Sequence, residues 1–162
     1  MRGPALFCLL LLVAPLLTHA LVMRLLFPNL TAVNDCAIRK GVFNTVAGNC
    51  AAGKLGEAYW KMYWANCKNC DKYFHCTGNY NAVHQCTNSA QASRAAEAIS
   101  DCREEVDNRG EDSALDQQAN RAGRRGENCS ALYLETVECF YHPKNGRVRD
   151  QRHKATVLVT KC

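Results

Sequence analysis

Two cysteines in a Cys-x-x-Cys pair and a His-Cys pair just after them could form a metal site; they are Cys67, Cys70, His75 and Cys76. Thiolate and imidazole groups at this short spacing suit a tetrahedral zinc ion. In a protein that leaves the cell, the same thiols are instead oxidised to disulfides. We therefore expect disulfides here, with no metal ion or other cofactor, and we expect His75 to be a structural histidine on a helix.

The N-terminal sequence predicts secretion. A basic start at Arg2 is followed, from Ala5 to Leu17, by an unbroken apolar stretch of about 13 residues, which is too short to span a bilayer. Small residues at Thr18 and Ala20 are typical of the site that signal peptidase cleaves. The sequence therefore predicts a signal peptide over residues 1–20, an extracellular protein, and no membrane-spanning segment.

The cysteine count indicates a disulfide framework. Of the 11 cysteines, Cys8 falls within the predicted signal peptide, and the ten that remain form an even set. We expect five disulfides, each contributing about 2–4 kcal/mol of stability, with a pairing that sequence alone does not give. The ten residues are Cys36, Cys50, Cys67, Cys70, Cys76, Cys86, Cys102, Cys129, Cys139 and Cys162.

Apolar residues at helical spacing predict four helices and a mostly α, four-helix bundle. The first runs from Gly41 to Trp64, the second begins at Asp71, the third spans Ala90 to Val106, and the fourth runs from Ser113 to Gly123. An apolar stripe on the first helix either packs in the core, which we favour, or forms the widest surface for lipid. Its residues are Val42, Phe43, Val46, Leu55, Tyr59, Met62 and Tyr63.

The composition changes after Gly126. Asn145-Gly146 lies between two apolar, β-branched runs, a pattern that predicts a β-hairpin. Residues 127–162 are therefore predicted to be a disulfide-tethered extension. Its basic cluster would attract sulfated, heparan-type glycans or be a solvated face, and comprises Arg147, Arg149, Arg152, His153 and Lys154.

Two further motifs concern modification and processing. Asn29-Leu30-Thr31 is an N-glycosylation acceptor within residues 21–35, which we expect to be a mobile N-terminal segment. Arg121, Arg124 and Arg125 could be cleaved by a convertase, although cations at the end of a helix are the interpretation we favour. The formal net charge of +5 gives no case for nucleic-acid binding.

No arrangement of residues favours an enzyme. Asp71 beside Cys70, and His75 beside Cys76, are similar to part of the catalytic helix of secreted phospholipases A2, but in the wrong order. No glycine-rich calcium loop precedes them, so a water-activating His–Asp pair would lack its cation. We therefore expect a non-catalytic protein.

Three blocks resemble the serum amyloid A family and occur in the family's order. They are Asp71-Lys72-Tyr73-Phe74-His75 with Gly78-Asn79-Tyr80, then Ala95-Ala96-Glu97-Ala98-Ile99-Ser100-Asp101, then Glu111-Asp112-Ser113 with Asp116-Gln117, Ala119-Asn120 and Gly123-Arg124. The resemblance covers about Leu55 to Gly126. It implies a small secreted four-helix protein of the acute-phase response that binds lipoprotein particles, lipids, retinol and heparan-type polyanions.

The departures from the family pattern narrow that expectation. The cysteines are added, and Arg94 stands where the family has a tryptophan, which reduces the apolar face that a lipoprotein surface needs. We expect a serum amyloid A-like bundle over residues 36–126. Its function would be innate-defence binding of lipid or small apolar ligands and sulfated polyanions, with a cell-surface receptor as a further candidate partner. The alternative is a disulfide-rich effector, such as a toxin, antimicrobial or receptor ligand, that binds no lipid.

Overall fold

A computed structural model describes residues 28–137, apart from residues 66, 68, 108 and 109. Over this part of the chain there are six α-helices and two short 3-10 helices, with no strand. The α-helices are α1 (Pro28–Arg39), α2 (Val46–Ala65), α3 (Asp71–His84), α4 (Ala90–Asp107), α5 (Glu111–Arg124) and α6 (Cys129–Tyr133). The mostly α class is confirmed, and α2 to α5 correspond to the four predicted helices. The predicted signal peptide lies outside the described residues.

The turn between α1 and α2 explains why α2 begins later than predicted. Gly41 has a φ of 70°, a left-handed conformation that favours glycine, and it leads into a 3-10 helix over Val42–Asn44. Thr45 then caps α2, because its Oγ1 accepts a hydrogen bond from the Gly48 amide at 2.9 Å. The helix predicted from Gly41 therefore starts at Val46.

Small side chains allow the helices to approach closely. Helix α3 packs against α5 on one side and α2 on the other, while α4 packs against α1, α2 and α5. A Cβ atom at Gly123 would overlap the backbone carbonyl of Cys76, so α3 and α5 meet backbone to backbone at this point. The buried apolar side chains form two clusters that are rich in alanine.

Four disulfides join eight of the cysteines within the described part of the chain. Cys36–Cys102 links α1 to α4, Cys50–Cys86 links α2 to the turn after α3, Cys67–Cys70 closes the loop before α3, and Cys76–Cys129 links α3 to α6. Cys139 and Cys162 lie outside the described residues. Three of the four bridges therefore fasten separate elements to one another.

The N-terminal segment differs from the prediction. Residues 28–35, which fall within the stretch expected to be mobile, form the first two turns of α1. Proline at the first helical position suits a helix start, because its missing N–H would have no partner there. Cys36 and Ala37 are buried, and the bridge from Cys36 to α4 holds the helix in place.

The start of the C-terminal extension also differs. The first predicted strand begins instead as α6, followed by a 3-10 helix over Leu134–Thr136. Asn128 caps α6, since its side chain accepts from the Ala131 amide at 3.2 Å, and the bridge from Cys129 to α3 fixes the helix. The predicted hairpin turn and second strand lie outside the described residues. Among the helices that are described, none has the length and apolar character needed to cross a bilayer.

Candidate functional site

A cavity of about 300 Å³ lies among α1, α2 and α4, above α3 and α5. Aliphatic and aromatic side chains from four helices and the turn before α2 form most of its wall. These apolar residues are Leu30, Val33, Ala37, Phe43, Ala52, Leu55, Ala58, Tyr59, Met62, Phe74 and Ile99. Exposed Asn29 and Asn34 lie at the α1 edge, so solvent reaches the cavity there. The volume is at the small end of the range of about 300–1,000 Å³ that is usual for ligand pockets.

The cavity gathers four of the seven residues predicted to bind lipid: Phe43, Leu55, Tyr59 and Met62. Of the other three, Val42 is buried in the core, whereas Val46 is 84% exposed and Tyr63 is 57% exposed. The apolar stripe of α2 is thus turned mainly inward. It does not form one continuous face toward solvent.

Arg103 brings a charge to the otherwise apolar wall. Its guanidinium lies 5.3 Å from the centre of the Tyr59 ring, in a cation–π contact, and its Nη2 lies 3.0 Å from Asp107 Oδ2. Its Nε is buried and has no hydrogen-bond partner among the described residues.

A polar network forms the floor of the cavity. Asn79, buried on α3, donates from Nδ2 to Asn120 Oδ1 at 2.7 Å, and its own Oδ1 accepts from Ser100 and Arg124, each at 3.1 Å. His75 Nδ1 lies 3.0 Å from the same Asn120 oxygen. Burial lowers the pKa of Arg124, which nonetheless keeps its charge at physiological pH. These bonds join α3, α4 and α5 into a fixed support.

Beside this floor, Lys72 forms ion pairs with three carboxylates. Its Nζ lies 2.6 Å from Asp116 Oδ1, 2.6 Å from Asp112 Oδ1 and 2.7 Å from Asp71 Oδ2. Burial acts to lower the pKa of Lys72, but hydrogen bonds to the three carboxylates outweigh it and raise that pKa overall. For Asp71, burial acts to raise the pKa, while the bond to Lys72 makes the net shift downward. Both shifts favour the charged forms, the ammonium of Lys72 and the carboxylate of Asp71.

Asp116 also brings its second oxygen toward His75. Asp116 Oδ2 lies 3.5 Å from His75 Nε2, and Glu104 Oε1 lies 4.0 Å from His75 Nδ1. Burial raises the pKa of Glu104, and the charge of Asp116 adds to that rise, against a hydrogen bond from Ser113 and the attraction of His75 and Arg103. One imidazole and two carboxylates thus meet where α3, α4 and α5 converge.

Of the remaining predicted sites, one lies within the described residues and the other lies outside them. Asn29, the predicted glycosylation site, lies exposed in the first turn of α1 at the edge of the cavity. The predicted polyanion cluster, residues 147–154, lies outside the described residues. The sequence prediction missed the contribution of α1 to the wall, because Leu30 and Val33 fall in the segment expected to be mobile. Their spacing with Ala37, at intervals of three and then four residues, was the available signal.

The serum amyloid A protein family model matches residues 43–144, well over half of the chain. The chain belongs to the serum amyloid A family. This confirms the resemblance expected from the sequence, and the match runs past residue 126 to include α6 and the beginning of the predicted extension.

Individual serum amyloid A proteins match the same region. The chain is 49% identical to serum amyloid A-1 protein of Mus musculus over 80 residues, which cover 47% of this chain and 63% of that protein. It is 47% identical to serum amyloid A protein of Notamacropus eugenii over 81 residues, covering 47% and 61%. It is 41% identical to serum amyloid A-2 protein of Mus musculus over 108 residues, covering 60% and 86%. The chain therefore spans less than two thirds of the length of the first two relatives.

Proposed function

We propose that the chain is a secreted, non-catalytic binding protein of the acute-phase or innate-defence type that holds a small apolar ligand. The observation that carries this proposal is the 300 Å³ cavity, with its apolar wall and polar floor. The helices around the cavity would remove part of a bound ligand from water, and each Å² of apolar surface removed contributes about 25 cal/mol. Arg103, which also lines the cavity, would bring a positive charge to one side of the ligand.

Binding to a broad lipid surface has less support than binding inside the cavity. Attachment to such a surface needs a wide apolar face directed outward. Phe43, Leu55, Tyr59 and Met62 instead face the cavity, and only Val46 and Tyr63 of the predicted stripe are well exposed. A lipoprotein particle is accordingly the weaker candidate partner.

Two glycines on α2 offer a matched test. A Cβ at Gly56 or at Gly53 would meet nothing within 4 Å, but Gly56 lines the cavity and Gly53 does not. Gly56→Leu should fill the cavity and weaken binding of all-trans-retinol, measured by its fluorescence, by tenfold or more. Gly53→Leu should leave the affinity unchanged.

Equal retinol affinity in the parent and in both variants would place the bound ligand elsewhere and contradict the proposal. Loss in both variants would point to a general effect on α2, which the far-ultraviolet circular dichroism spectrum would reveal. Flotation with phospholipid vesicles tests surface binding separately, and vesicle binding without retinol binding would also count against the cavity.

Binding of sulfated polyanions is a second proposal, based on five basic residues within positions 147–154 and only Asp150 opposing them. The attraction would be electrostatic and would weaken steeply with salt. Changing Arg147, Arg149 and Arg152 together to Ser should lower the salt concentration at which heparin releases the protein. An unchanged elution position would move the site to Arg121, Arg124 and Arg125, or leave the cluster as a solvated face.

A further inference from the structure

His75, Glu104 and Asp116 come from three different helices, and each offers a ligand atom within 4.8 Å of the other two. Their side chains are only 10%, 9% and 9% exposed. A histidine with two carboxylates is a donor set that zinc accepts in proteins. Exposed acidic clusters are common without metal, whereas these three side chains are largely buried.

The hydrogen bonds of Asn120 set the tautomer of His75. Asn120 Oδ1 accepts from Asn79 Nδ2 at 2.7 Å, while Asn120 Nδ2 points to Gln117 Oε1 at 3.4 Å. The oxygen is therefore the atom that faces His75 Nδ1 at 3.0 Å, and Nδ1 must donate to it. In neutral His75 this leaves Nε2 as a bare acceptor. A hydrogen bond from the second ring nitrogen to a fixed oxygen is the usual support of a metal-binding histidine.

The bare Nε2 faces another acceptor. Asp116 Oδ2 lies 3.5 Å away, which is long for a hydrogen bond. In a tetrahedral site with bonds of about 2.0–2.1 Å, neighbouring ligand atoms lie about 3.4 Å apart, so this separation suits a shared zinc ion. Lys72 holds the other oxygen of Asp116 at 2.6 Å and so fixes the orientation of the carboxylate.

Glu104 provides a second, independent indication. Its Oε1 is buried and has no hydrogen-bond partner among the described residues. Leaving a buried charged oxygen unpaired is costly. The charge of Asp116 acts on the Glu104 carboxyl, so the two acids repel each other when both are ionised. A divalent cation between them would bind both carboxylates and satisfy Oε1.

We propose that His75, Glu104 and Asp116 bind one Zn²⁺ ion. His75 would bind through Nε2, the two acids would bind through one oxygen each, and water would complete the tetrahedron. The neighbouring Asp71–Asp112–Asp116 group is not the site, because Lys72 already occupies it. Since His75 also lines the cavity, the ion has a path from solvent. The site does not depend on the proposed ligand function, and it would lock α3, α4 and α5 together.

The test uses the untagged, oxidised full chain with any free thiol blocked by iodoacetamide, so that cysteine cannot bind the metal. Calorimetric titration with ZnCl₂ should show one ion per chain, and zinc should raise the melting temperature. His75→Gln and Asp116→Asn should each lower the zinc affinity at least 100-fold, and Glu104→Gln at least tenfold.

Matched controls change neighbouring residues of the same type. His84→Gln alters a partly buried histidine whose Nδ1 lies 3.1 Å from Asn88 Oδ1, and Glu105→Gln alters a carboxylate that pairs with Lys40. Both should keep the parent affinity. If His75→Gln fails to fold, Glu104→Gln remains decisive, because it removes a charge without removing volume. A parent that binds no zinc, or equal affinity in all variants, would overturn the site.

Discussion

The α2 side of the bundle and the contact between α3 and α5 differ in what fills the space between the helices. At Gly56 of α2, which lines the cavity, a Cβ atom would meet nothing within 4 Å, whereas at Gly123 of α5 it would overlap the backbone of α3. The first region leaves a cavity, and the second leaves no free volume. The fold thus combines a wall that can admit a ligand with a floor that cannot move far.

The two regions also differ in how far their ion pairs are exposed to water. Lys72, between α3 and α5, is 18% exposed and binds three carboxylates, while Lys61 on α2 is half exposed and pairs with one carboxylate of the described residues, that of Glu57. Both lysines have a carboxylate at 2.6 Å. Equal distances do not mean equal energies, because water screens one pair and is largely excluded from the other.

The largest expected effect comes from removing the enclosed cation. Lys72→Met leaves Asp116 buried without its counterion, and breaking a buried pair in this way costs about 3–5 kcal/mol. Urea unfolding at pH 7 measures the loss. The matched change Lys61→Met on α2 should cost less than about 0.5 kcal/mol. Similar losses from the two changes would show that the two regions are not electrostatically different.

The difference in packing can be tested by making the same substitution, Gly to Ala, in each of the two regions, and a smaller effect is expected. Gly123→Ala must push α3 away from α5 and should cost about 1–3 kcal/mol, as overpacking does. Gly56→Ala enters open space in a helix interior and should gain up to about 1 kcal/mol. Thermal unfolding of both variants shows whether each substitution stabilises or destabilises the protein. Destabilisation by Gly56→Ala would show that the space beside α2 is not free.

The division also explains what the sequence could predict. The third predicted helix, Ala90 to Val106, matches α4 closely, because its alanine-rich sequence places apolar residues at helical spacing. The predicted start of α3 at Asp71 is also the observed one. The fourth predicted helix began too late, at Ser113, since Gly110 and the acidic first turn, not the serine, start α5.

The cavity could be predicted only in part. Helical spacing on α2 identified Phe43, Leu55, Tyr59 and Met62 as one stripe, but spacing alone does not show whether a stripe faces a neighbour, a cavity or solvent. The role of α1 depends on a long-range bridge from Cys36 to Cys102, and the sequence gives cysteines but not their partners. The convergence of His75, Glu104 and Asp116 joins residues up to 41 positions apart and needed the packed helices.

The smallest expected effect concerns the exposed pair on α2 and depends on pH. The hydrogen bond and the charge of Lys61 lower the pKa of Glu57 below its ordinary value of 4.5. A carboxylate whose folded-state pKa is lowered stabilises the fold above its unfolded pKa, and this contribution disappears as the pH falls through the lowered value. Glu57 precedes Lys61 by four residues on a helix, the more favourable order, and such exposed pairs contribute about 0.3–0.5 kcal/mol. Glu57→Gln should therefore lower the free energy of unfolding by a few tenths of a kcal/mol at pH 7, and its urea unfolding curve should merge with that of the parent once Glu57 is protonated.

Salt provides the control. At 1 M salt the difference in the free energy of unfolding at pH 7 should shrink, because screening then acts over about 3 Å. A difference that persists in acid and in salt would mean that the substitution acts through helix propensity, and the exposed pair would then contribute no measurable electrostatic stability.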